Sequence, residues 1–262
     1  MVQNMTYDYE YLKKEVLALT TIDLNSYKEA QMKRRIDTLI TKHNIKGYDK
    51  YVQALRTDEA LFDEFVNYIT INVSEFYRNP DQWKLLDTEI IPELIHKYGK
   101  NLKIWSAACS TGDEPYSLVM ALSKHLPMNQ IKIYATDLDK QVIAKAKVGL
   151  YSEKSIAAVP DEFKKKYFTQ VGPSYKISEE IKARVEFHEH NLLKDKYPTD
   201  YHMIVCRNVL IYFTEEAKDE VFRKFCRSLS QGGILFIGNT EQVINYKEIG
   251  YDRKSSFFYV KV

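Results

Sequence analysis

The feature that most constrains the fold is a change of pattern near residue 101. From Asn101 onward, short apolar runs alternate with helical stretches. The runs are Leu102–Ala107, Ile131–Thr136, Val185–His188, Met203–Cys206, Ile234–Ile237 and Phe257–Val262, with stretches such as Pro115–His125 and Lys140–Lys147 between them. Alternation of this kind builds βαβ units and a parallel sheet, so an α/β fold is expected. The segment from about 151 to 184 breaks the alternation. It holds Gly172, Pro173 and many polar residues and reads as an insertion near the third strand.

Upstream the chain reads as a small helical bundle. No Gly precedes Gly47 and no Pro precedes Pro80, so little interrupts a helix. Asp23 is placed to cap a helix carrying Leu24, Tyr27, Ile36, Leu39 and Ile40 at near-helical spacing. A second segment, from about Asp49, carries Tyr51, Val52, Leu55, Leu61, Phe62, Phe65 and Val66 in the same way.

Composition removes several function classes. Lys plus Arg is 38 against 36 for Asp plus Glu, a net charge of +2, which argues against a dedicated nucleic-acid binder. The densest apolar stretch, Tyr201–Phe213, is too short to span a bilayer and contains Arg207. Asp8 and Glu10 fall where a secretory signal would be apolar. Cys109, Cys206 and Cys226 lack metal-ligand spacing and fit free thiols in a reducing cytoplasm. His188 and His190 alone make a weak metal signal, and no metal is expected.

Four segments carry the chemistry. Ile104–Ser117 runs from a buried strand through a turn of small residues into a helix, the place where doubly wound sheets bind ligands. Only Gly112 remains of a G-x-G-x-x-G pattern, so an ordinary strand–helix turn is an equal reading. Asp137 ends the second run, 25 residues beyond Gly112, where a ribose-hydroxyl acceptor is expected. Helix capping is the alternative, and Asp139 is the better cap. Arg207 and Asn208 follow the fourth run, as ligand groups or as an ion pair and a turn. Asn72–Pro80 interleaves polar and aromatic residues, with Arg78 suited to a carboxylate, or is a capped linker. Together these segments suggest a nucleoside-cofactor enzyme without separating NAD from S-adenosylmethionine (SAM).

Their combination resembles the CheR-type chemotaxis receptor methyltransferases. Asn72–Arg78 resembles that family's N-x-[ST]-x-F-[FY]-R element, and Trp105–Ser117 its W-[SA]-A-x-C/A-S-T-G-E-E-P-Y-S stretch. Cys206–Phe213 matches C-R-N-V-x-I-Y-F. Ala135–Asp139, Gly149–Tyr151 and Gly238–Glu241 match A-T-D-I-D, G-x-Y and G-x-[ST]-E. The order holds from about Thr20 to the C-terminus. Asp113 stands for a more frequent Glu, and Asn239-Thr240 for a commoner His-Ser.

The resemblance implies an N-terminal helical domain with its linker at 1–75. A Rossmann-like SAM-dependent methyltransferase domain would follow at 76–262, with an inserted antiparallel β-subdomain at about 151–184. It implies methyl transfer from SAM to glutamate side chains in the cytoplasmic helical region of membrane chemoreceptors, giving methyl esters and S-adenosylhomocysteine. By matching position, Asn72, Ser74, Arg78, Glu114, Asp137, Asn191, Leu192, Asn208 and Val209 are expected to hold the cofactor. Arg78 and Tyr212 are the candidates for orienting the substrate carboxylate or closing the pocket. A glutamate is already ionised near neutrality, its ordinary pKa being about 4.3, so no general base is required.

The segment from Lys28 to Arg56 carries eight basic residues, among them Lys28, Arg34 and Arg35, against Glu29, Asp37 and Asp49. Beside a glutamate-bearing helical substrate this stretch is expected to steer the receptor, with Lys28, Arg34 and Arg35 as contacts. An ordinary solvated helix face is the alternative. No nucleic acid and no direct membrane insertion are expected. Competing readings are a SAM enzyme acting on RNA or a small molecule, a SAM-binding regulatory module without turnover, and a dehydrogenase.

Overall fold

The computed structural model describes residues 7–262. The chain forms two compact units. One is the described chain up to Ile71 with Tyr212–Lys218, and the other is Asn72–Ile211 with Asp219–Val262.

The first unit is helical: α1 (Tyr9–Thr20), α2 (Glu29–Lys42), α3 (Tyr48–Thr57) and α4 (Glu59–Thr70). Leu12, Val16, Ile36, Tyr51 and Phe65 are fully buried, and the Tyr51 and Phe65 rings meet edge to face at 5.9 Å. Burying each such side chain contributes about 1.5–3 kcal/mol. Asp8 caps α1 by accepting from Tyr11 N at 3.0 Å, and Asp58 caps α4 by accepting from Leu61 N at 3.0 Å. The same Asp58 splits the apolar segment expected from Asp49 into α3 and α4.

Asp23 does not cap the long helix read from the sequence. It caps one 3₁₀ turn, Leu24–Ser26, and α2 starts only at Glu29. The cause is a distant strand-like pairing. Tyr27 bridges Phe213, Lys28 N donates to Tyr212 O at 2.9 Å and Thr214 N to Ser26 O at 2.9 Å. These bonds hold residues 26–28 extended.

The second unit opens with α5 (Pro80–Leu85), a π turn (Leu86–Ile90) and α6 (Ile91–Tyr98). The alternation then follows as β1 (Ile104–Ala107), α7 (Asp113–Leu122), β2 (Ile133–Asp137) and α8 (Lys140–Val148). Next come β3 (Leu150–Ser152), α9 (Asp161–Tyr167), β4 (Phe168–Val171), β5 (Ser174–Ile177) and α10 (Glu179–Lys182). The chain ends with β6 (Val185–Glu189), β7 (Tyr201–Cys206), α11 (Glu215–Ser228), β8 (Leu229–Ile237), α12 (Tyr246–Ile249), β9 (Tyr251–Arg253) and β10 (Phe258–Lys261). α11 begins in the first unit and continues in the second.

Seven strands form one sheet in the order β6-β2-β1-β7-β8-β10-β9. The first five are parallel, and β10 runs antiparallel to both β8 and β9. β1 is buried along its whole length, as a central strand covered on both faces must be. The insertion forms a separate antiparallel sheet, β3-β5-β4, between α8 and β6. The α/β fold with a helical unit and a small inserted β-sheet is therefore present. β8 begins at Leu229, earlier than its apolar run, because Gly232 and Gly233 mask a strand that still pairs with Tyr201 on β7. Asn72–Glu75, the end of the stretch read from the sequence as helical domain and linker, belong to the second unit. There Asn72 Nδ2 donates to Asp139 Oδ2 at 2.8 Å. Among the described residues no helix is long and apolar enough to cross a membrane.

Candidate active site

The strand order reverses between β1 and β7, and ligands of such sheets bind at the carboxyl ends there. After β1 the backbone turns through left-handed conformations at Ala108 (φ 60°), Ser110 (φ 49°) and Gly112 (φ 88°). Non-glycine residues in that region cost about 1–2 kcal/mol each, so the surroundings must hold them. Cys109 N donates to Thr136 O at 2.8 Å, Ser110 N to Asp137 Oδ2 at 2.8 Å, and Tyr151 Oη to Thr111 O at 2.7 Å. Gly112 is required for packing as well as for its left-handed backbone. A Cβ there would lie 2.9 Å from Ala146 Cβ and 3.0 Å from a Tyr116 ring carbon.

Asp137 ends β2 and is buried. Its carboxylate accepts from Ser110 N and, at 3.0 Å, from Asp139 N. Burial pushes its pKa up to about 6 against those two N–H groups. Each carboxylate oxygen keeps a lone pair, so a ribose hydroxyl can still be accepted. Asp139 caps α8 through Gln141 N at 2.8 Å and takes Asn72 Nδ2 on its other oxygen. Beside β2, His190 N donates to Asp137 O at 2.9 Å, which sets Asn191 and the buried Leu192 just beyond. Asn191 closes its own turn, with Oδ1 accepting from Leu193 N at 2.9 Å.

At the start of α7, Glu114 Oε1 accepts from Ser106 Oγ at 2.8 Å and Oε2 lies 3.8 Å from Arg207 Nη1. Burial pushes Glu114 up to about 7, and the Arg207 charge opposes it. Asp113 is buried beside it and accepts from Thr111 Oγ1 and Ser155 Oγ, both at 2.6 Å, and from the Ser74 hydroxyl. Asp113 is therefore where the Ser74 hydroxyl is directed.

Arg207 is buried and acts as a hub. Its Nη2 donates to Arg78 O at 2.7 Å, Asn79 Oδ1 at 3.3 Å and Gln82 Oε1 at 2.6 Å. Its guanidinium lies 4.8 Å from the Phe236 ring centre. Trp83 Nε1 also donates to Arg78 O, at 3.0 Å. The Arg78 backbone is thus pinned to the end of β7. Its own guanidinium is half-buried and reaches Val73 O at 3.4 Å.

Asn208, left-handed at φ 61°, opens the turn after β7. Glu241, beyond β8, accepts from the N–H groups of Asn208, Val209 and Leu210 at 2.8–2.9 Å and of Gly238 at 2.7 Å. Ser110 Oγ and Asn208 Oδ1 are buried with no hydrogen-bond partner among the described residues. Buried polar atoms normally have partners. These two, at the ends of β1 and β7, fit a polar ligand bound at the switch point.

The second unit thus contains Asn72, Ser74, Arg78, Glu114, Asp137, Asn191, Leu192, Asn208 and Val209. Tyr212 belongs to the first unit, its carbonyl accepting from Lys28 N. Lys28 and Arg34 are exposed there. Arg35 is not a free contact: it donates to Tyr68 O and lies 4.4 Å from the Tyr68 ring centre. Sequence reasoning left out Ser110 and Glu241 and undervalued Arg207. The G-x-[ST]-E element was the available signal for Glu241. Among the described residues no group of three or more His, Cys, Asp or Glu is arranged to hold a metal ion.

Comparison with known proteins gives the following. Residues 7–70 match the family model "CheR methyltransferase, all-alpha domain", and residues 72–256 match "CheR methyltransferase, SAM binding domain". A chemotaxis protein methyltransferase of Listeria innocua is 39% identical over 261 residues, covering 100% of both chains. Chemotaxis protein methyltransferase 1 of Pseudomonas aeruginosa is 34% identical, covering 91% of each chain. A chemotaxis protein methyltransferase of Borreliella burgdorferi is 30% identical, covering 88% of this chain and 86% of its own.

Proposed function

The chain belongs to the CheR methyltransferase family, and from that premise we propose which carboxylates this SAM-dependent enzyme methylates. The acceptors are glutamate side chains in the cytoplasmic helical region of membrane chemoreceptors. The products are glutamyl methyl esters and S-adenosylhomocysteine, and the reaction takes place in the cytoplasm. The observation that carries this reading is the full-length likeness to a named chemotaxis protein methyltransferase. The exposed Lys28 and Arg34 of the helical unit support it, since they present positive charge to an acidic helical partner.

When bound, SAM supplies an electrophilic methyl on a sulfonium, and an ionised glutamate displaces the neutral thioether without moving a proton. The chain's task is then binding, alignment and water exclusion. Asp137 takes the ribose hydroxyls, and Glu114 receives the amino group. Asn191 and Leu192 border the adenosine. Asn208 and Val209 border the methionine part, where Asn208 Oδ1 has no protein partner among the described residues. Asn72 and Ser74 act through the carboxylates of Asp139 and Asp113, to which they donate. Arg78 keeps donors beyond its one bond to Val73 O and orients the acceptor carboxylate.

The experiment is incubation with tritiated SAM and chemoreceptor membranes. Base-labile, volatile label on the receptor is expected, because esters hydrolyse and N-methyl groups do not. Base-stable label, or no transfer despite measured SAM binding, overturns the reading. Unchanged kcat/KM in Arg78→Ala removes this residue from its role.

A further inference from the structure

Glu241 lies outside every residue assigned above to cofactor or substrate. Its carboxylate is buried, yet no lysine or arginine donates to it among the described residues. Its hydrogen-bond donors are backbone N–H groups: Gly238 and Asn208 on Oε2, Val209 and Leu210 on Oε1. Charge-assisted bonds of this kind are the strong ones. Gly238 admits the carboxylate because a Cβ there would lie 2.7 Å from both Asn208 N and Glu241 Oε2.

The arrangement has a consequence for Asn208. An asparagine opening a turn ordinarily bonds its own side-chain carbonyl to the N–H two residues on. Here that N–H, of Leu210, is taken by Glu241 at 2.8 Å. Asn208 Oδ1 is consequently buried and unpartnered beside the end of β7. Asn208 also sits left-handed, a conformation the N–H on its own nitrogen helps fix by donating to Glu241.

We propose that Glu241 is a positioning residue for cofactor binding. It occupies the backbone donors that Asn208 would otherwise satisfy, and so keeps the Asn208 side-chain amide free to bond the cofactor. The inference rests on SAM binding and not on the identity of the methyl acceptor.

The test is a double-mutant cycle read by calorimetric affinity for S-adenosylhomocysteine, with the full chain. Asn208→Ala removes the amide and is expected to weaken binding about two- to tenfold, the worth of one hydrogen bond. Glu241→Gln keeps the shape but puts an N–H₂ group against backbone N–H groups, and is expected to weaken binding to a similar degree. If Glu241 acts through Asn208, the double variant binds no more weakly than the poorer single variant. Weakening equal to the product of the two overturns the proposal. So does Glu241→Gln that melts earlier but binds as wild type, which is what a merely structural brace gives. Should Glu241→Gln not fold, Glu241→Asp draws the same carboxylate back by one methylene from the N–H groups it holds and enters the same cycle with the same two outcomes. Failure of receptor methylation with this binding pattern intact would count against the acceptor, not against Glu241.

Discussion

Arg207→Met tests the hub that pins the Arg78 segment to the sheet. The side chain gives up two short bonds from a charged donor, 2.7 Å to Arg78 O and 2.6 Å to Gln82 Oε1, and a longer one of 3.3 Å to Asn79 Oδ1. Hydrogen bonds to charged groups contribute about 1.5–3 kcal/mol each, so the two short ones together contribute about 3–6 kcal/mol. Two effects reduce the loss. The guanidinium no longer has to be held charged against burial, which pushes its pKa down. The methionine stem keeps much of the packing against Phe236 and Trp83. Glu114 loses its 3.8 Å partner and, already raised to about 7, takes up a proton instead of remaining a buried charge. The net expectation is a loss of about 2–4 kcal/mol, or roughly 5–15 °C in Tm for a chain of this size. Thermal unfolding followed by circular dichroism, cross-checked by denaturant titration, measures it. A melting temperature within about 2 °C of wild type refutes the assignment of Arg207 as the hub. The kcat/KM for the methyl acceptor is expected to fall in parallel, because the pinned backbone carries Arg78.

Glu114 has a folded pKa of about 7 against an ordinary 4.5, so it contributes stability that is full below the unfolded value and lost as pH rises through about 7. Wild type should therefore gain up to about 3 kcal/mol relative to Glu114→Gln as pH falls through that window. A difference in stability that stays flat from pH 8 to 5 removes the raised pKa. Arg34→Glu should raise the KM for receptor severalfold at low salt with Tm unchanged, and an unchanged KM there argues against steering. Arg35→Glu should lower Tm whatever the substrate, because it loses the Tyr68 carbonyl and ring; a Tm equal to wild type would show that neither contact matters. Gly112→Ala should destabilise the second unit by about 1–3 kcal/mol, from a left-handed backbone and contacts of 2.9–3.0 Å, as read by denaturant midpoint.

What the sequence made legible follows from how each feature is built. β1 and β7 were visible because a central parallel strand buried on both faces leaves a run of apolar residues. β9, only three residues long, leaves no such run. Asp23 misled because the residues that stop its helix, 212–214, lie far away in the chain. The same is true of the site. Arg207 and Arg78 are separated by 129 positions, and Glu241 and Asn208 by 33, so no local pattern announces either pairing. Arg34 and Arg35 show the limit most plainly. They are adjacent and carry the same charge, but one helical step of about 100° leaves the first exposed and turns the second onto Tyr68.

The family motifs convey which residues recur together, but not which of them touch the ligand. Asn72 and Ser74 recur with Arg78, and a reading by position assigns all three to the cofactor. Their side chains donate to Asp139 and Asp113, two carboxylates that cap or brace the turns after β2 and β1. A polar group that holds a carboxylate in place affects binding by fixing geometry, and its loss is compensated when the carboxylate finds another donor. A group that faces the ligand has no such substitute. On this argument Asn72→Ala and Ser74→Ala should cost less affinity for S-adenosylhomocysteine than Asn208→Ala does. Calorimetry on the three variants decides it, and an Asn72 or Ser74 variant that binds more weakly than the Asn208 variant would return that residue to direct contact with the cofactor.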